Sequence, residues 1–183
     1  MNEYLDVVDE YGKPTGEIVE RGIEHRDGIP HRTSHLWIIR EKNGRPEILL
    51  QKRAANKTFP GCYDISSAGH IPAGDDHIPS AIRELKEELG VTIDGSDLIC
   101  CGDLRMDWDD VFFGKPFHDR QYTRVFLTWL DLEEDRFALQ NEEVESVKWM
   151  DLEECVEGVK RDSFRNCISL DELMLVRDKV YSK

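Results

Sequence analysis

Three glutamates, Glu84, Glu87 and Glu88, stand three and four residues apart in the run Arg83-Glu-Leu-Lys-Glu-Glu-Leu-Gly-Val91. On a helix that spacing places them on one face, where like charges repel. Either water solvates such a face, as is usual on amphipathic helices, or the carboxylates together grip hard divalent cations, which favour carboxylate oxygens. Ions held this way neutralise phosphate oxygens and lower the pKa of a bound water, the two requirements of diphosphate hydrolysis. Ile82, Leu85 and Leu89 recur at helical spacing and give the same helix an apolar face. Pro79 suits its first position and Gly90 its C-terminal stop. Before it, Gly69, Pro72, Gly74 and Pro79 punctuate a loop.

The pattern extends beyond the glutamates. Gly69, Arg83, Glu84, Leu85, Glu87, Glu88, Gly90 and Val91 fall at the spacing G-x5-(E)-x7-R-E-U-x-E-E-x-G-U, where U is aliphatic. This resembles the box of the Nudix hydrolases. At average residue usage a chance match is on the order of one in a million. One position departs from the pattern: Asp75 stands where the family carries Glu, one methylene shorter, and Asp76 is available to share its task. The resemblance implies that Glu87, Glu88 and the Gly69 carbonyl bind Mg2+ or Mn2+, and that Glu84 is a further ligand or the general base. Arg83 would orient a glutamate rather than touch phosphate; its plainer role is an i,i+4 pair with Glu87. The implied reaction is cleavage of the diphosphate linkage in a nucleoside diphosphate joined to another group. Members place a further acid outside the box, and the candidates are Asp109, Asp110, Asp119, Glu142, Glu143 and Glu145, with Glu142 and Glu143 first. Arg53 and Lys57 flank the loop before the box, either as substrate contacts or as solvated surface charges.

Pro14-Thr-Gly16, His25, His31, Pro60-Gly61 and Gly69-His70 further resemble the isopentenyl diphosphate isomerase branch over about the N-terminal two thirds. There, histidines at His25, His31 and His70 and two later glutamates hold a metal, and a cysteine before the Gly-His pair protonates the alkene. This chain has Ala68 at the cysteine position, and Asp119 and Gln121 near the later glutamates. The expectation is therefore an isomerase-like hydrolase. His25, His31 and His70 form either a metal site or a set of hydrogen-bonded loop histidines. Isomerase activity and nucleotide binding without turnover are the rival readings.

The chain has 183 residues, and 24 basic against 38 acidic residues give a formal net charge of -14. That field repels nucleic-acid polymers, and an anionic small substrate would need bound cations or a local basic cluster to dock. The five cysteines, Cys62, Cys100, Cys101, Cys155 and Cys167, are odd in number and contain no C-x-x-C pair. A zinc ribbon or disulfide framework is disfavoured, and reduced thiols in a cytoplasmic protein are expected. Cys62 reads as an inert thiol. The acidic N-terminus has no signal-peptide pattern, and no apolar run reaches the ~20 residues of a membrane span. Homodimerisation is an expectation from the family alone.

The size suits one domain, 1–183, with N-terminal strands and a His-bearing loop in 1–33 and the box in 69–91. Strands are expected at 4–8, 17–21, 35–40, 47–52, 98–106, 122–132 and 144–150, with an Asn43-Gly44 hairpin. Residues 22–33, 53–68 and 107–120 read as loops. Asp151 caps a helix to about Val159, and Ser169 or Asp171 begins a last helix. Within 107–120, Trp108, Phe112, Phe113 and Phe117 either stack on a base or line the core, with core the simpler role. Mixed strands and helices give an α/β (α+β) class. The resemblance implies an α/β/α sandwich with a mixed sheet between helices.

Overall fold

The computed structural model describes residues 3–112 and 114–182; Phe113 lies outside them. Strands β1 (Tyr4–Val8) and β2 (Pro14–Glu20) pair antiparallel as a small separate sheet. Helix α1 (Arg21–Asp27) follows, where the sequence suggested a loop. Gly22 disguised it, but Gly28 closes it in the left-handed conformation at φ 66°, and Ile29 N–H bonds back to Glu24 O. That is an ordinary glycine stop.

The main sheet then forms from β3 (His31–Lys42), β4 (Arg45–Arg53), β5 (Tyr63–Asp64) and β6 (Ser67–His70). Asn43 and Gly44 turn the β3–β4 hairpin with φ 55° and 75°, as the dipeptide required. Helix α2 (His77–Leu89) follows β6; β7 (Ile99–Phe112), β8 (Lys115–Trp129) and β9 (Val144–Asp151) complete the sheet. Its order is β5-β4-β3-β8-β7, with β6 on β3 and β9 on β4. The β3–β8 pairing is parallel and the others are antiparallel, so the sheet is mixed. Helices α3 (Leu152–Lys160) and α4 (Leu170–Tyr181) end the chain. Asp151 and Ser169 cap them with side-chain oxygens.

Alternation along β3 sets the layers. Leu36 and Ile38 face Ala81, Leu85 and Leu89 of α2, while Trp37 and Ile39 face Leu152, Cys155 and Val156 of α3 and Leu173 and Val176 of α4. The sheet is therefore sandwiched between helices. Leu85 and Leu89 are fully buried, and each contributes roughly 2 kcal/mol through area removed from water. They fix which face of α2 turns away from the sheet, and so where its carboxylates lie.

Residues 107–112 and 115–120 are strand rather than loop. They belong to the long β7–β8 hairpin, whose pairing runs from Ile99↔Leu127 out to Phe112↔Lys115. Leu104, Met106 and Trp108 are half-buried and alternate with exposed Asp103, Arg105, Asp107 and Asp109, a period-two pattern that the density of acids concealed.

Candidate active site

Asp76, not Asp75, caps α2, and its side chain accepts from His77 N–H at 2.7 Å. The helix thus begins two residues before Pro79, which occupies a first-turn position that needs no N–H bond. At the far end Gly90 adopts φ 69°, and the Glu88 and Leu89 carbonyls accept from Gln140 and Ala138 N–H. Both ends of the helix are therefore anchored.

The pairing Ser34↔Gly69 brings Gly69 beside α2. The Glu84 side chain packs so closely on Gly69 that a Cβ there would displace it. Arg83 holds Glu84 Oε1 at 2.8 Å and Glu87 Oε2 at 3.1 Å, and gives a further N–H to His70 O at 3.2 Å. The orienting role and the i,i+4 pair thus coexist. Glu88 is 5% exposed, and its Oε2 has no hydrogen-bond partner. Burial pushes Glu84 up to about 7, with Arg83 opposing and Glu87 adding. Burial pushes Glu88 up to about 8; Ser67 opposes, while Glu84 and Glu143 add. A buried carboxyl and a half-buried one, neither fully compensated, beside a backbone carbonyl fit a hard cation, whose positive charge would offset the loss of water.

Glu84, Glu88 and Gly69 line a cavity of about 640 Å³. Glu87 does not; its side chain is 52% exposed at the rim, on Arg83. Of the acids considered outside the box, Asp119 and Glu143 reach the cavity. Asp109 instead pairs with His118 and Arg120, and Glu145 with Lys52. Arg53 and Lys57 both line the cavity, yet each holds a carboxylate: Arg53 on Asp64 at 2.7 Å, Lys57 on Glu143 at 2.6 Å. Cys62 is buried and free.

A second set of donors lies on the same side of the cavity. Glu24, His25, His31 and His70 each offer a ligand atom, all within 4.8 Å of one another. Glu24 is fully buried and both its oxygens lack a hydrogen bond, although His25 Nδ1 and His31 Nδ1 stand 2.8 and 2.7 Å away. Those nitrogens instead meet the Arg21 and Ile29 carbonyls. Burial opposes ionisation of Glu24, but the two histidines outweigh it and lower its pKa. Burial drives His70 well below the usual imidazole value, which keeps its lone pair available. Asp119 approaches His31 Nε2 at 3.7 Å through an oxygen without a hydrogen bond. The histidines were legible in sequence. Glu24 was not, because its role requires α1; its one sequence signal was adjacency to His25.

Trp108 and Phe117 stack at 5.3 Å between centroids, with Phe59 and Phe112 against them. They are half-buried and belong to neither core cluster, contrary to the simpler expectation; Phe59, Trp108 and Phe117 wall the cavity.

Comparison with known proteins agrees with this architecture. The NUDIX domain family matches residues 30–167. Nudix hydrolase 3 of Arabidopsis thaliana is 42% identical over 161 residues, covering 83% of this chain; the chain spans only 20% of that relative's length. An uncharacterized Nudix hydrolase of Clostridium acetobutylicum is 31% identical over 83% of the chain and 71% of its own length. An isopentenyl-diphosphate Delta-isomerase of Corynebacterium diphtheriae is 28% identical over 54% of the chain and 53% of its own length. Among solved structures, DR0079 of Deinococcus radiodurans superposes with TM-score 0.70 at 15% identity, covering 96% of this chain and 98% of that one. The NUDIX domain of Shewanella oneidensis NrtR, complexed with ADP ribose, superposes with TM-score 0.58 at 15% identity, covering 81% and 87%. A C. elegans Ap4A hydrolase complex does so with TM-score 0.55 at 21% identity, covering 83% and 98%. By the family match and by its curated relatives, the chain belongs to the Nudix family.

Proposed function

We propose that this protein is a metal-dependent hydrolase of the diphosphate linkage in a nucleoside diphosphate joined to another group. The observation that carries the reading is a pair of carboxyls, buried Glu88 and half-buried Glu84, raised to about 8 and about 7 and lining one cavity with Gly69. Glu84, Glu88 and the Gly69 carbonyl would hold Mg2+ or Mn2+, with Glu87 joining from the rim. A divalent ion held there would supply charge to neutralise phosphate oxygens and would lower the pKa of a bound water. Arg83 holds Glu84 Oε1 at 2.8 Å and so would orient that carboxylate, either as a further ligand or as the base that takes a proton from the attacking water. Asp119 and Glu143 supply further acid at the cavity wall, and Arg53 and Lys57 shape the loop beside it. Trp108 and Phe117 offer flat apolar surface to a base.

Ap4A and ADP ribose, which occur in the names of proteins sharing this fold, are the first compounds to test. With Mg2+ present, Glu88→Gln should lower phosphoanhydride hydrolysis by at least 100-fold while circular dichroism stays unchanged. Activity equal to the parent protein would refute the assignment.

A second reading is favoured by the Glu24, His25, His31 and His70 cluster, which fits an additional divalent ion and the isomerase-like branch. Ala68 carries no dissociable proton where that branch protonates its alkene. Incubation with isopentenyl diphosphate and Mn2+ should therefore yield no dimethylallyl product at an enzymic rate.

A further inference from the structure

Among the cavity side chains that neither reading uses is a histidine, His35. His35 pairs with Ala68 across β3 and β6, one residue from Gly69, and lines the cavity. Directly paired side chains stand about 5 Å apart, and the Ala68 methyl is too small to cover an imidazole ring. On its inner side His35 Nδ1 meets both oxygens of Glu172, at 3.1 and 2.9 Å. Glu172 is 1% exposed in the first turn of α4, and also accepts Trp37 Nε1–H at 2.8 Å. A buried carboxylate with these partners keeps a proton on Nδ1 and fixes the ring plane, so Nε2 is an N–H donor whenever the ring is charged. Nδ1 is the ring nitrogen turned to Glu172, and among the described residues no hydrogen bond involves Nε2.

The other basic side chains of the cavity have carboxylates of their own, His25 beside Glu24 among them. Arg21 holds Glu3, Arg53 holds Asp64 and Lys57 holds Glu143, while His70 is driven towards its neutral form. Burial works against a charge on His35, but the charge and hydrogen bond of Glu172 outweigh it, so its pKa rises. A polyanionic substrate entering between Glu84, Glu88 and Asp119 needs donors as well as ions.

We propose that His35 is a substrate-binding residue, whose Nε2–H donates to a phosphate oxygen of the bound diphosphate on the side away from α2, and that Glu172 positions it. The proposal rests on the hydrolase reading and extends it to the far wall of the cavity.

Methylenediphosphonate, a diphosphate that cannot be cleaved, provides the probe, titrated calorimetrically with Mg2+. His35→Ala should weaken its binding about 10-fold, as expected for loss of one hydrogen bond to a charged group. His35→Gln, which retains an N–H donor, should recover most of that loss. Ala68→Leu, which covers the ring, should weaken binding as His35→Ala does. In the unaltered protein the His35 Nε2–H NMR signal, assigned by its absence in His35→Gln, should shift as the diphosphonate is added. That readout stands even if a variant folds poorly. Equal affinity in His35→Ala and the parent, no rescue by His35→Gln, or an unmoved Nε2–H signal each overturns the proposal. When these occur while Glu88→Gln abolishes binding, the hydrolase reading survives. Absence of Mg2+-dependent binding in the parent protein removes both.

Discussion

At Glu88 and Glu84, burial and neighbouring carboxylates act in one direction, and their pKa values near 8 and 7 are stability statements. In metal-free protein the folded chain keeps protons on these groups that the unfolded chain, with glutamates near 4.5, has released. Their contribution is complete below about pH 4.5 and is lost as pH rises through 7 and 8. In EDTA, the melting temperature should fall between pH 6 and pH 8, and Glu88→Gln should flatten that fall. A rise over the same interval would contradict the burial argument. Gly69 makes a separate point, because any Cβ there overlaps Glu84. Gly69→Ala should therefore cut Mg2+-dependent turnover by at least 10-fold with only a modest loss of stability. At this scale the sequence was informative wherever spacing alone decides. Glu84 and Glu88 share a helix face, as their spacing required, and Glu84 lies against Gly69. Order could not show that Glu87 turns out to the rim, that Asp119 and Glu143 reach the cavity, or that Glu24 completes the histidine cluster. Those facts depend on which strand or helix lies alongside.

At the scale of elements, α2 delivers its carboxylates only because both ends are tied. Gly90 is left-handed, and a Cβ there would lie 2.5 Å from Ala138 Cβ. Gly90→Ala should cost about 1 kcal/mol in backbone strain, with the clash adding to it. Urea unfolding measures the loss, and a change within experimental error would show that the helix stop does not need glycine. The caps Asp151 and Ser169 and the Asn43-Gly44 turn were readable because short-range chemistry settles them. Helix α1 was not, since seven residues with an internal glycine carry little periodicity and tertiary contacts decide. The outer β7–β8 hairpin was hidden for another reason: Asp107, Asp109 and Asp110 suggested solvated loop, while the alternate residues Met106 and Trp108 were already turning inward.

Across the whole molecule, a formal charge of -14 surrounds a cavity whose bases are almost all paired with acids. A diphosphate docks there only if ions and a few placed donors overcome the field. The sandwich explains how one fold assembles this. Alternation along β3 assigns Leu36 and Ile38 to α2 and Trp37 and Ile39 to α3 and α4, while His31, Thr33 and His35 continue the second face. Thr33 and His35 line the cavity and His31 reaches Asp119, which also lines it. The mixed α/β class was legible from its strands and helices and the sandwich from the family resemblance, whereas Leu36 to Ile39, all apolar, hid which residue faces which layer. The cavity was not legible, since it is built from β3, β6, α2, the β7–β8 hairpin and the start of α4, which are far apart in sequence. No helix among the described residues is long and apolar enough to cross a membrane.

The central claim is that Glu84, Glu88 and the Gly69 carbonyl hold divalent ions, and anomalous diffraction from crystals soaked in Mn2+ tests it most directly. The account predicts a manganese peak bridging the Glu88 carboxylate and the Gly69 carbonyl that disappears in Glu88→Gln. Manganese confined to Glu24, His25, His31 and His70, with none beside Glu88, would contradict it.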